Sequence, residues 1–347
     1  MGTDIQRLIN FNTMKLVYKY FSMVFIVTMA LPACKKNEGG INKNPDVYIA
    51  GEINNGITNV AKYWKSPAAI TLTDGSNIGI ASGIVVHDRD VYVSGTEYIR
   101  VGTRLKREAR YWKNGFVTNL SDDMESSANG IALMGSDVYV AGFVNNGINH
   151  VACYWKNGVV ANLTDGAENA AANAIAIRGG DVYIAGHEGN MAKYWKNGVP
   201  VHLTNGVNKA AAKSITVSGQ DVYVAGFEKH GNIDVAKYWK NGIAFNLTDG
   251  TGYARANGVA VEGSDVYVVG VESDNGKRVA RLWKNGTSMF IGEGAWEGEA
   301  TAVAVWKNDV HVVGYNYVPY LTRYWKNGIV VEPMANLKGG FTALALN

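Results

Sequence analysis

Disulfide chemistry is excluded at the outset, because the 347 residues include only two cysteines, Cys34 and Cys153. With no paired Cys or His at ligand spacing, they build neither a disulfide framework nor a zinc site. Proline is also scarce, at 6 residues, and 47% of the chain is hydrophobic against 18% charged, so the composition is globular and not disordered. Neither sign of charge dominates. Lys and Arg total 33 against 30 Asp and Glu, and no basic stripe is evident, which argues against nucleic acid as a partner. Hydrophobic runs of membrane-spanning length are missing too: the apolar stretch Tyr20 to Leu31 is too short to cross a bilayer comfortably. No motif calls for a metal or any other cofactor, so none is expected.

What the chain has instead is glycine, 41 residues of it, and repetition. The phrase Asp-Val-Tyr-Val-Ala-Gly, or a close variant, begins at Asp46, Asp90, Asp137, Asp181, Asp221, Asp265 and Asp309. Each is answered by Tyr-Trp-Lys-Asn-Gly or a variant, anchored by Trp64, Trp112, Trp155, Trp195, Trp239, Trp283 and Trp325. A period in the forties, with strand-like phrases and glycine-rich turns, is that of one blade of a β-propeller. The length therefore implies one repeat array in place of several domains.

Within a unit, four strands are expected. Asn173–Ile177 reads as strand a, Asp181–Gly186 as b, Ala192–Lys196 as c and Val199–Leu203 as d, with Asn197-Gly198 a hairpin signal of the primed-turn kind. Small residues in strand a suit the crowded axis, and the Tyr and Trp of the outer strands fill the wider gaps between blades. The residue before each Tyr (Leu282 in the sixth unit) is basic in six units: Lys62, Arg110, Lys193, Lys237, Arg281 and Arg323, with Cys153 in the seventh. A charge repeated in nearly every blade implies a repeated local bond, and Cys153 is then an inert, buried thiol. The chain enters on a strand b at Asp46 and ends on a strand a, Thr342–Leu346. The expectation is an all-β, seven-bladed propeller of four-stranded blades over 46–347, closed by pairing the C-terminal strand with the first N-terminal strand. A monomer is expected.

Upstream, Lys15 and Lys19 precede the apolar stretch, and Leu31-Pro32-Ala33-Cys34 follows it. This resembles the lipobox of bacterial lipoproteins, with Pro32 in place of the usual small residue. The resemblance implies a signal peptide over 1–33 (true start Met14), lipidation at Cys34, and a polar tether over 34–45. The repeat unit itself resembles the extracellular HAF-type repeats of bacteria, above all those of repeat lipoproteins of the Bacteroidetes. That resemblance implies an exported propeller held at the cell envelope by its lipid, on the periplasmic or surface side of the outer membrane, and no assigned activity.

Function is expected where the units differ. The a–b and c–d turns are short and uniform, whereas the b–c and d–a connections vary and share the opposite end of the ring. There Tyr253, Arg255, Trp296, Glu297, Glu299, Tyr315, Tyr317 and Tyr320 depart from the repeat. Aromatic rings with neighbouring Arg and Glu suit a sugar-binding cleft, so Tyr253, Arg255, Trp296, Glu297, Tyr315, Tyr317 and Tyr320 are candidate ligand contacts for a glycan or a partner protein. A polysaccharide-degrading lyase or glycosidase, and a purely structural surface protein, are the alternatives; no catalytic residue is assigned. A polar ring, Ser82, Asn129, Asn173, Lys213, Asn257, Thr301 and Thr342, is expected at the channel mouth. It either satisfies backbone groups at strand ends or holds an ion or water.

Overall fold

A computed structural model describes residues 44–66, 68–121, 124–292, 297–332, 334 and 336–347. It is a seven-bladed ring of four-stranded antiparallel sheets. Blades 2 to 7 run a-b-c-d along the chain; blade 4, for example, is Ala170–Arg178, Asp181–Glu188, Met191–Lys196 and Val199–His202. Blade 1 takes strands b, c and d from Val47–Asn54, Asn59–Lys65 and Ala68–Thr71. Its strand a is the C-terminal Gly339–Leu346, which pairs antiparallel with Val47–Ile53. Asp46 and Asn347 exchange backbone hydrogen bonds of 2.8 and 3.1 Å, so the two ends of the ring are joined as expected.

The two repeated phrases form one fastening. In blade 4, Asn197 and Gly198 both have positive φ, 51° and 82°, which defines the primed turn. The Asn197 side chain donates to Asp181 Oδ1 at 2.7 Å and accepts from the Val182 N–H at 2.9 Å. Lys196 pairs with the other oxygen of Asp181 at 2.8 Å. The same Asp–Lys–Asn arrangement recurs in blades 2, 3, 5, 6 and 7. Blade 1 keeps only Asp46–Lys65, because Ser66 stands where the others have Asn.

Cores form between blades. Trp239 of blade 5 is fully buried with Val222 and Val224 against Tyr183 and Tyr194 of blade 4. The basic residue before Tyr makes the anticipated local bond in four blades, to the glutamate two residues after the glycine of strand b: Arg110–Glu97, Lys193–Glu188, Lys237–Glu228 and Arg281–Glu272. In blade 3 both members are replaced, by Cys153 and Val144. Cys153 is fully buried, and burial pushes its thiol pKa far up.

Strand a is longer than its sequence suggests. In every blade it carries a β-bulge, at Ser82, Asn129, Asn173, Lys213, Asn257, Thr301 and Thr342. The polar ring thus sits inside the strand and not at its start, and three residues read as loop before each bulge are strand. The bulge explains the glycine of strand b. A Cβ on Gly226 would lie 2.1 Å from the Ala211 carbonyl oxygen that the bulge displaces towards it, and the other six blades show the same conflict.

Five bulge side chains bond to the next blade. Asn129 donates to Ala172 O at 2.8 Å, Asn173 to Ala212 O at 2.7 Å, Asn257 to Ala300 O at 3.0 Å and Thr301 to Phe341 O at 2.8 Å, while Thr342 donates to Ala81 O. This is the backbone-satisfying role anticipated for the ring. Each acceptor is the residue before the next bulge, so the bonds form a relay around the axis.

Candidate functional site at the mouth of the central channel

Antiparallel pairing puts the a–b and c–d turns at one end of the ring, together with Asp46, and the b–c and d–a connections at the other. Strand a runs inward from that second end, so the position two residues before each bulge lies nearer the mouth. It is Ile80, Ser127, Ala171, Ala211, Arg255, Glu299 and Gly340 in the seven blades. Five blades are small or apolar there, and two adjoining blades, 6 and 7, carry charge. The partners across strand b are Thr96, Phe143, His187, Phe227, Val271, Tyr315 and Glu52.

Glu299 is the hub. Its Oε2 accepts from the hydroxyls of Tyr317 at 2.9 Å and Tyr315 at 3.2 Å, and its Oε1 from the Asn257 side chain at 2.6 Å. Tyr315 lies edge-on to Tyr317, with ring centroids 5.8 Å apart, and edge-on to Tyr320 at 5.2 Å. Tyr320 reaches into blade 1 and donates to Glu52 Oε1 at 2.6 Å. Burial, reinforced by these carboxylates, pushes all three phenol pKa values well above the ordinary tyrosine value. The phenols therefore stay protonated and act as donors. Burial also pushes Glu52 up to about 6, and its second oxygen is buried without a partner.

Blade 6 supplies the other half. Arg255 pairs with the buried Asp234 at 2.5 Å and stacks on Phe227 and Tyr253, its guanidinium 4.3 and 5.3 Å from the ring centres. Arg278 covers Tyr253 at 4.1 Å. Among the described residues no hydrogen bond or ring contact joins this group to the tyrosine trio. The two halves nevertheless lie close enough for Glu299 to act electrostatically on Tyr253, and Arg278 on Tyr317.

Below them the channel encloses about 280 Å³, lined by Asn129, Asn173, Lys213, Asn257, Glu299 and Thr301. Lys213 forms no hydrogen bond or ion pair among the described residues. Burial first, and the Arg255 charge second, hold its ammonium pKa below that of an exposed lysine, and Glu299 opposes the shift. Near it, burial pushes His187 down to about 4 and keeps the imidazole neutral.

Several expected contacts therefore converge, but not all from loops. Arg255 lies in strand a (Ala254–Glu262) and Tyr315 in strand b (Asp309–Asn316), while Tyr317 and Tyr320 occupy the b–c connection. Of the paired glutamates, Glu299 meets the tyrosines. Glu297 forms a backbone bridge with Val279, and its carbonyl accepts from the Tyr317 N–H at 2.9 Å. Trp296 and Cys34 lie outside the described residues. Sequence reading left Lys213 and Asn257 in a structural ring and did not join them to Glu299. The available signal was lysine at a position where every other unit has Ser, Asn or Thr. Among the described residues no group of three His, Cys, Asp or Glu side chains is placed to hold a metal.

No family model matches this chain. No curated protein matches it either. Among the solved structures it resembles, that of YjhT aligns with 76% of this chain and 96% of its own at 9% identity and a TM-score of 0.43.

Proposed function

We propose that this chain is an exported, lipid-anchored propeller of the bacterial cell envelope that binds a glycan at the channel mouth. The observation that carries the reading is the concentration of departures from a seven-fold repeat in one place. Tyr253, Arg255, Glu299, Tyr315, Tyr317 and Tyr320 come from blades 6 and 7 and the connections beside them, on one side of the mouth, and Glu299 also lines the channel. Symmetric residues hold the ring together, so only asymmetric ones can define a single site. Aromatic rings offer flat faces for pyranose stacking, and the Glu299 and Lys213 groups below them suit hydroxyls and substituents.

The anchor is proposed from the lipobox resemblance at Cys34. Asp46 enters the ring at the end opposite the mouth. Cys34→Ser should abolish lipid labelling and release the protein from membranes; unchanged membrane fractionation would overturn the anchor.

A glycan array probed with the wild type, Tyr317→Ala and Trp195→Ala tests the binding site. Tyr317→Ala should weaken binding at least about tenfold; it also removes the half-buried Tyr317–Glu299 hydrogen bond, worth about 0.5–1.5 kcal/mol of stability, but opens no inter-blade core. Trp195→Ala empties an inter-blade core and should cost about 3–5 kcal/mol of stability. A blank array, or a Tyr317→Ala protein that binds like wild type, rejects the site.

A further inference from the structure

We propose that Lys213 makes the channel beneath the mouth a carboxylate-binding subsite, so that the glycan taken there is an acidic one whose carboxylate enters the channel. The glycan part rests on the function proposed above; the carboxylate part stands on the channel alone.

The first support is the broken relay. Lys213 occupies the bulge position that Ser, Asn or Thr fills in the other six blades, and five of those side chains bond to the neighbouring blade. The equivalent acceptor for blade 5 is the carbonyl of Ala256. Lys213 makes no such bond, so the lysine gives up an inter-blade contact worth about 0.5–1.5 kcal/mol and gains no protein partner for it. A purely structural lysine would be paired.

The second support is where its charge lies. Lys213 lines the cavity of about 280 Å³, room for a carboxylate and several waters. The carboxylate in that lining is Glu299, whose oxygens already accept from Tyr315, Tyr317 and Asn257. The nearby Arg255 adds positive charge, though Asp234 offsets it through a direct pair. Asn129 and Asn173 each give one amide N–H to a neighbouring carbonyl, which leaves the second N–H of each amide on the channel wall. A half-buried ammonium on the channel wall with no protein partner, flanked by amide donors, gains a charge-assisted bond from an anion that enters the channel. A neutral sugar leaves that ammonium unpaired, and a cation is repelled by it.

The test is calorimetric titration of the full chain in detergent with three probes: sodium acetate, an oligosaccharide ending in glucuronate, and its neutral counterpart ending in glucose. Wild type is compared with Lys213→Asn and Lys213→Met. Lys213→Asn restores the residue of the commoner blades, so it should fold with wild-type stability or better, which separates lost binding from lost folding. The wild type should bind the acidic oligosaccharide at least about tenfold more tightly than the neutral one, about 1.4 kcal/mol. Both substitutions should erase that preference. Acetate that binds as tightly as the acidic oligosaccharide, through Lys213, would support the subsite and assign it to free small acids. Acetate binding without either oligosaccharide would refute the glycan reading and leave the carboxylate subsite standing. Equal affinity for the two oligosaccharides with no acetate binding, or an acidic preference that survives both substitutions, would overturn the proposal.

Discussion

Glu52→Gln should become more stable relative to the wild type as the pH rises from acid to neutral. Glu52 sits in strand b of blade 1 and is 6% exposed. One oxygen accepts from Tyr320, and the other is buried without a partner. Burial raises its pKa from 4.5 to about 6. The folded ring therefore holds this proton more tightly than the unfolded chain does. That contribution is complete below about pH 4.5, is lost as pH rises through about 6, and is absent above. Ionising the group in the fold thus costs about 2 kcal/mol at neutral pH, since each tenfold change in proton affinity is about 1.4 kcal/mol. Glutamine keeps an acceptor for Tyr320 and does not ionise. Any difference in pairing between its amide and the neutral carboxyl it replaces is the same at every pH. The readout is therefore the change with pH of the stability difference between variant and wild type, from urea melts between about pH 4 and pH 8. The variant should gain about 2 kcal/mol relative to wild type across that range, with most of the change between about pH 4.5 and pH 6. A flat difference, or a wild type that gains on the variant as pH rises, would refute burial as the dominant influence on Glu52.

Two further outcomes test the scaffold. Deleting residues 341–347 should destabilise the whole ring, because it unpairs strand b of blade 1 and removes Thr342 from the axial relay, whereas deleting residues 35–42 should leave the thermal midpoint unchanged; equal midpoints would contradict the shared blade. Gly226→Ala forces a Cβ against the Ala211 carbonyl and should cost about 1–3 kcal/mol by chemical denaturation, while the same change at Gly231, which meets nothing within 4 Å but has positive φ, should cost about 1 kcal/mol.

Blade number and strand order were legible in the sequence because the unit is written seven times, and ring closure because the chain enters on a strand b and its last repeat phrase is a strand a. Asp181, Lys196 and Asn197 repeat as a unit since they fasten one turn, and Trp195 repeats because it fills one kind of gap. What repeats less faithfully was harder to read. The Ala170–Ala172 stretch lacks alternation, and the bulge at Asn173 shifts the register, so the mouth-proximal part of strand a read as loop. Arg255 and Glu299 were accordingly assigned to loops when they stand on strands, which fixes them more firmly. Glu297 and Glu299 were indistinguishable by spacing alone; only the pairing of Glu299 with Tyr315 across the sheet separates them. Lys213 was visible as an exception, but its lack of a partner is a three-dimensional fact.

The most direct test of the mouth as the binding site is an NMR titration of protein labelled at the tyrosine rings, using the acidic oligosaccharide. Resonances of Tyr253, Tyr315, Tyr317 and Tyr320 should shift in a saturable manner, while those of Tyr63, Tyr194 and Tyr238, packed in the outer strands, stay in place. Shifts confined to the outer tyrosines, or saturable binding that moves none of the four mouth tyrosines, would contradict the account.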